Sequence, residues 1–116
     1  MTDERGGRGN GDDSVAKISV LILSWRRLEN LSKILSSESA YGIVDEIIVF
    51  NNYSLSTIAP LNQKTKILNS SYDFGLRSRW ALGLLARNRC LVFQDDDILI
   101  AESGFHVLYD RWMEDV

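Results

Sequence analysis

Three consecutive aspartates, Asp95, Asp96 and Asp97, stand between two apolar runs in the stretch LVFQDDDILI at 91–100. Neighbouring carboxylates repel one another, and none gives up its water cheaply without a partner. One reading of the triplet is a solvated turn or a helix-capping cluster. The other is a site for a hard divalent cation, Mn²⁺ or Mg²⁺. Such a cation prefers oxygen ligands, takes one or two protein carboxylates and fills its remaining positions with water and phosphate oxygens. A diphosphate would complete that shell, and the cation would offset the repulsion.

Basic and amide side chains elsewhere suit the same chemistry. Arg77 and Arg79 lie in GLRSRWALGL, near the start of a predicted helix, where the macrodipole is already positive and a cation gains nothing. A bound anion accounts for them better than a helix surface does. Arg26 and Arg27 follow the first predicted strand, as a wet strand end or as further anion contacts. Asn51 and Asn52 follow the second. Asparagine favours turns at such places, and its amide also matches the edge of a nucleobase such as uracil. Trp25, Trp80, Phe50 and Phe74 are expected in the core rather than stacked on a base.

These residues need elements to position them. The run KISVLILSW at 17–25 is too continuously apolar for a half-wet strand and reads as one buried on both faces. In LENLSKILSSES, Leu28, Leu31, Ile34 and Leu35 recur at helical spacing, and Tyr41-Gly42 supplies a stop. DEIIVFNN at 45–52 then completes a βαβ unit. A loop around Pro60 leads to a short strand, TKILN at 65–69. Residues 75–88 predict a helix that is apolar nearly all round and so buried on more than one side, CLVFQ a fourth buried strand, and ESGFHVLYDRWMED a last helix. The order β-α-β-β-α-β-α predicts an α/β fold, a three-layer sandwich around a mainly parallel sheet. Ligands of such sheets bind beyond the carboxyl ends of the strands, where the strand order reverses. Arg26-Arg27, Asn51-Asn52, Asn69 with Ser70-Ser71, and the aspartates each follow a strand.

Composition narrows the options. The chain of 116 residues has room for one domain, 17–116, behind a glycine-rich polar arm at 1–16 that reads as disordered. Its formal net charge of −3 lacks the basic footprint that nucleic acid requires. No apolar run approaches the roughly 18–20 residues of a membrane span. No signal-peptide pattern opens the chain, so the default expectation is a cytoplasmic protein. The single Cys90 is a small core hydrophobe, and the single His106 has no second His or Cys near it in sequence, which leaves little basis for zinc or a histidine triad.

Taken in order, VLILSWRR, VDEIIVFNN, DFGLRSRWALGL and LVFQDDDILI resemble the nucleotide-sugar-binding half of GT-A fold glycosyltransferases. The nearest types are the exostosin-like C-terminal domain and the family 2-like enzymes. The resemblance spans 17–116 and implies a Rossmann-like GT-A domain that transfers a sugar from a nucleotide sugar, a UDP-sugar, to a carbohydrate or other hydroxyl acceptor. It implies that LVFQDDDILI carries the DXD motif, with Asp97 on the metal, Asp95 assisting it or holding the ribose, and Asp96 beside the donor sugar. It also implies nucleotide contacts from Arg27, Asn51 or Asn52, and Arg79. The chain departs from that pattern at DFG, where exostosin-like enzymes tend to carry an asparagine, and YDFGLRSR only loosely echoes the NxGxxxAR block of the family 2-like enzymes. GT-A domains continue well past the DXD motif, so the resemblance implies a truncated domain. That in turn raises the alternative of a non-catalytic nucleotide-binding or interaction module. A third reading takes Asp95-x-Asp97 as a haloacid-dehalogenase-like nucleophile motif. It is the weakest, because that family implies the motif on an early strand with a lysine and further acids downstream.

Overall fold

A computed structural model describes residues 16–52, 56–75 and 77–115. Of the arm expected at 1–16, only Ala16 falls within them. The elements are β1 (Ile18–Ser24), α1 (Leu28–Glu38), β2 (Val44–Asn51), β3 (Thr65–Asn69), α2 (Ser78–Leu82) with a following 3₁₀ turn at Gly83–Leu85, β4 (Cys90–Asp95) and α3 (Glu102–Glu114). Their order is the expected one, and the four strands form one all-parallel sheet in the order β3-β2-β1-β4.

β1 lies between β2 and β4, and all seven of its residues are buried, as its unbroken apolar run requires. Alternation along the strands sorts the core into two layers. Ile18, Val20 and Ile22 of β1 face the same side as Ile47, Val49 and Cys90, where Leu31, Ile34 and Leu35 of α1 and the fully buried Phe105 of α3 cover them. Leu21 and Ile48 face the other side, and there Leu82 is the buried cover, with Phe50, Leu91 and Phe93 packed at the margin. Each such aliphatic side chain contributes about 1.5–3 kcal/mol on burial.

The second layer is thinner than the sequence predicts. The helix expected over 75–88 is helical only at Ser78–Leu82 before it tightens into the 3₁₀ turn, and Leu82 is its one buried residue. Gly83 is a poor helix former, and a Cβ there would make ordinary contact with Leu91 Cδ1 at 3.4 Å. Beyond the turn the Arg87 amide is held by Glu46, which prevents the helix from continuing along the sheet. As a result Trp80, Leu84 and Leu85 are 64%, 88% and 55% exposed. β4 is correspondingly an edge strand, with only Cys90 and Gln94 fully buried.

The amino ends of the strands are tied by a polar cluster. Glu46 is wholly buried and accepts from Ser19 Oγ at 2.6 Å, Lys66 Nζ at 2.6 Å and the Arg87 amide. Burial pushes its carboxyl up, but those three donors outweigh it and hold the group below its ordinary range. Arg87 and Asn88 also bind Asp45, at 3.0 and 2.8 Å. The opposite pole holds the carboxyl ends of the strands.

Candidate functional site

The chain leaves β1 for α1, β2 and β3 on one side and returns to β4 on the other, so the strand order reverses between β1 and β4. A crevice of about 280 Å³ opens at their carboxyl ends, lined by Leu23, Trp25, Arg27, Arg79, Asp95, Asp96 and Asp97. The fold therefore brings the arginine after β1, one arginine of α2 and the whole aspartate triplet into one cleft.

A tight exit from β1 sets the geometry of Arg27. Arg26 takes the left-handed region at φ 67°, and its guanidinium lies 4.8 Å from the centre of the Trp25 ring. The turn leaves Arg27 as the residue before α1, where its carbonyl accepts the Leu31 amide at 3.0 Å and its side chain reaches across to the end of β4.

The three aspartates are not equivalent. Asp96 turns inward and is 7% exposed, with Oδ2 accepting the Trp25 amide at 3.0 Å and Oδ1 lying 3.5 Å from Arg27 Nη1. It bolts the β1 exit loop to β4. Asp97 is half exposed and pairs through Oδ2 with Arg27 Nη1 at 2.8 Å. Asp95, also half exposed, pairs through Oδ1 with Arg79 Nη2 at 2.8 Å. Arg77 is the N-cap of α2 and Arg79 its second residue, as expected, but the helix behind them is far shorter than the sequence predicts. α2 has five residues, and Arg79 falls in its last turn.

The other expected contacts lie outside this crevice. Asn51 is fully buried, and its Nδ2 donates to the Ser56 carbonyl at 2.9 Å and to Asn69 Oδ1 at 2.8 Å. Asn52 Nδ2 donates to Asp73 Oδ1 at 2.9 Å while its Oδ1 accepts the Phe74 amide at 3.0 Å. Both amides therefore organise the loops after β2 and β3. Arg77 lines a separate groove of about 430 Å³ with Phe50, Leu68, Phe74 and Leu85, on the far side of α2 from Arg79. His106 is exposed on α3, and Cys90 is buried, which pushes its thiol up. The aromatic residues correct their expectation in part: Trp25, Trp80 and Phe74 are 48%, 64% and 57% exposed, whereas Phe50 is partly buried against the core.

Two residues that sequence reasoning missed stand directly behind the triplet. Glu38, at the end of α1, is wholly buried, and its Oε2 accepts Gln94 Nε2 at 2.8 Å and the Ile100 amide at 3.1 Å. Gln94 Nε2 also donates to the Ile98 carbonyl at 2.5 Å, so the pair holds both ends of the loop that follows the aspartates. Glu38 Oε1 and Gln94 Oε1 have no hydrogen-bond partner. Burial pushes the Glu38 carboxyl up to about 7, only partly offset by the Gln94 and Ile100 donors. A signal existed: Glu38 continues the Leu31, Ile34, Leu35 stripe at helical spacing, where a carboxylate is out of place.

Among the described residues no group of three or more His, Cys, Asp or Glu is arranged as a ready-made cage for a metal. The donor chemistry does fit a hard cation. Asp95 and Asp97 border one cleft with half-exposed carboxylates, and such ions complete their shells with water and phosphate. No protein-family model matches the chain, and no curated protein matches it either. Among the described residues no helix is long and apolar enough to cross a membrane.

Proposed function

We propose that this chain is the donor-binding domain of a metal-dependent glycosyltransferase, which takes a nucleotide sugar, a UDP-sugar, and passes the sugar to a carbohydrate or other hydroxyl acceptor. One observation carries the reading: the aspartate triplet, Arg27 and Arg79 share a crevice at the switch point of an all-parallel sheet, where α/β folds bind phosphorylated ligands. Asp97, supported by Asp95, would hold Mn²⁺ or Mg²⁺. When bound, that cation supplies positive charge for the departing nucleoside diphosphate.

The chain's own residues do the rest. Arg27 and Arg79 bind phosphate oxygens with their planar donor forks and share the neutralisation of charge as the sugar–phosphate bond breaks. Asp96 positions the Trp25 backbone and Arg27 from below. The exposed Trp25 ring offers a flat apolar wall at the cleft for a sugar or base.

Titration calorimetry with UDP and MnCl₂ tests the assignment. Wild type is expected to bind UDP only when Mn²⁺ is present, and Asp97→Ala to lose that binding by at least about tenfold. Unchanged binding by the variant would sink the role of Asp97. A second reading, a nucleotide-binding module without transfer, draws on the ion pairing of all three aspartates, which leaves none of them unengaged as a base. Binding of UDP with Mn²⁺ but no release of UDP from any UDP-sugar would favour the module.

A further inference from the structure

Guanidinium groups hold the places beside the cleft's carboxylates that a cation would take. Arg27 Nη1 sits 2.8 Å from Asp97 Oδ2 and 3.5 Å from Asp96 Oδ1, and Arg79 Nη2 sits 2.8 Å from Asp95 Oδ1. The strengths of these pairs differ. The side chains of Arg27 and Asp97 are 52% and 49% exposed and those of Arg79 and Asp95 28% and 52%, so both pairs are wet, weak and exchangeable. Asp96, with a side chain 10% exposed and bound to the Trp25 amide, is fixed.

We propose that Arg27 and Arg79 form an internal counter-ion clasp that keeps a bare divalent cation off Asp97 and Asp95, and that a nucleoside diphosphate opens it by drawing both guanidiniums onto its own oxygens. The inference rests on the donor-site reading above and adds how that site is controlled. A guanidinium meets a phosphate through the same donor fork it offers a carboxylate, so the exchange preserves its hydrogen bonds. A diphosphate also carries more negative charge than either aspartate. Once released, Asp97 and Asp95 present unbalanced carboxylates to the cation. The coupling is reciprocal: the diphosphate strengthens cation binding by the factor by which the cation strengthens diphosphate binding. The clasp thus selects for the metal–diphosphate pair over either alone.

The test titrates the full chain with MnCl₂, alone and with UDP, following free Mn²⁺ by electron paramagnetic resonance and UDP by calorimetry. Arg27→Gln and Arg79→Gln are compared with wild type, and circular dichroism verifies that each variant is folded. Wild type is expected to bind Mn²⁺ weakly alone and about tenfold more tightly with UDP. Arg27→Gln is expected to bind bare Mn²⁺ about threefold to tenfold more tightly than wild type, yet UDP about tenfold more weakly, so that the coupling shrinks. Arg79→Gln shifts in the same directions and carries the test if Arg27→Gln does not fold. If wild type binds UDP with Mn²⁺ while neither variant gains affinity for bare Mn²⁺, the clasp is overturned and the donor-site reading stands. If wild type binds neither probe, both fall.

Discussion

Arg26 shows how a single backbone torsion aims the site. At φ 67° it occupies a region that costs an ordinary L-residue roughly 1 kcal/mol or more, and the turn it makes delivers Trp25 to one wall of the cleft and Arg27 to the aspartates. Arginine brings its own contact with the Trp25 ring, so the comparison that isolates the torsion uses two replacements that both lack it. Arg26→Gly accepts a positive φ freely, whereas Arg26→Val resists it. Urea unfolding is expected to place the glycine variant about 1–2 kcal/mol above the valine one, and equal midpoints would mean the turn is not constrained there. Asp96 makes the complementary point at the end of β4. The residue that the resemblance places on the sugar side is turned inward, while its two neighbours remain half exposed.

At the scale of elements, α1 and β4 are joined by the pair Glu38 and Gln94, and that junction depends on pH. The Glu38 carboxyl sits at about 7 in the folded protein against an ordinary value of 4.5. A raised value means that the folded state holds the proton more tightly than the unfolded chain. The associated stability is therefore fully present below about pH 4.5 and is lost as pH rises through about 7. The whole effect is about 3 kcal/mol. Protonation also offers a structural repair, because a carboxylic acid can donate to the unpartnered Gln94 Oε1 while still accepting from Nε2. Tyr41 lies near both Glu38 and Glu102, and burial together with those two negative charges pushes its hydroxyl up. Glu38→Gln carries no charge and can make the same paired bonds. It is expected to be about 2–3 kcal/mol more stable than wild type at pH 8 and to show a flatter profile between pH 5 and 8 in urea melts. A profile as steep as the wild type's would assign the pH dependence to another group.

Across the whole molecule the two faces of the sheet are unequally covered. α1 and α3 shield one face, whereas among the described residues a five-residue helix and a 3₁₀ turn are all that cross the other. Leu82 is the one buried residue of that helix and turn, and its neighbour Leu84 is 88% exposed. Leu82→Ala is expected to cost about 2–4 kcal/mol in thermal or urea unfolding, while Leu84→Lys stays within about 0.5 kcal/mol of wild type. The reverse order would mean that this layer packs differently from the structure described.

Strand and helix order, a mainly parallel sheet and the polar strand ends were legible in the chain itself. Unbroken β-branched runs such as KISVLILSW must be buried on both faces, and a connection long enough for a crossover helix fits parallel neighbours. The aspartate triplet and Arg27 could likewise be picked out, because charge at the end of a buried strand is conspicuous. Only the tertiary structure decided which candidates meet. Whether Asn51 points at a ligand or at Asn69, whether Asp96 faces the cleft or the Trp25 amide, and on which side of α2 Arg77 falls all depend on contacts between residues far apart in the chain. The same holds for the length of α2, beyond which the Arg87 amide is captured by Glu46. Local pattern determines which groups sit at the carboxyl ends, because burial and periodicity are properties of neighbouring residues. Long-range packing determines how those groups are partnered, because ion pairs and hydrogen bonds join whatever the fold brings together.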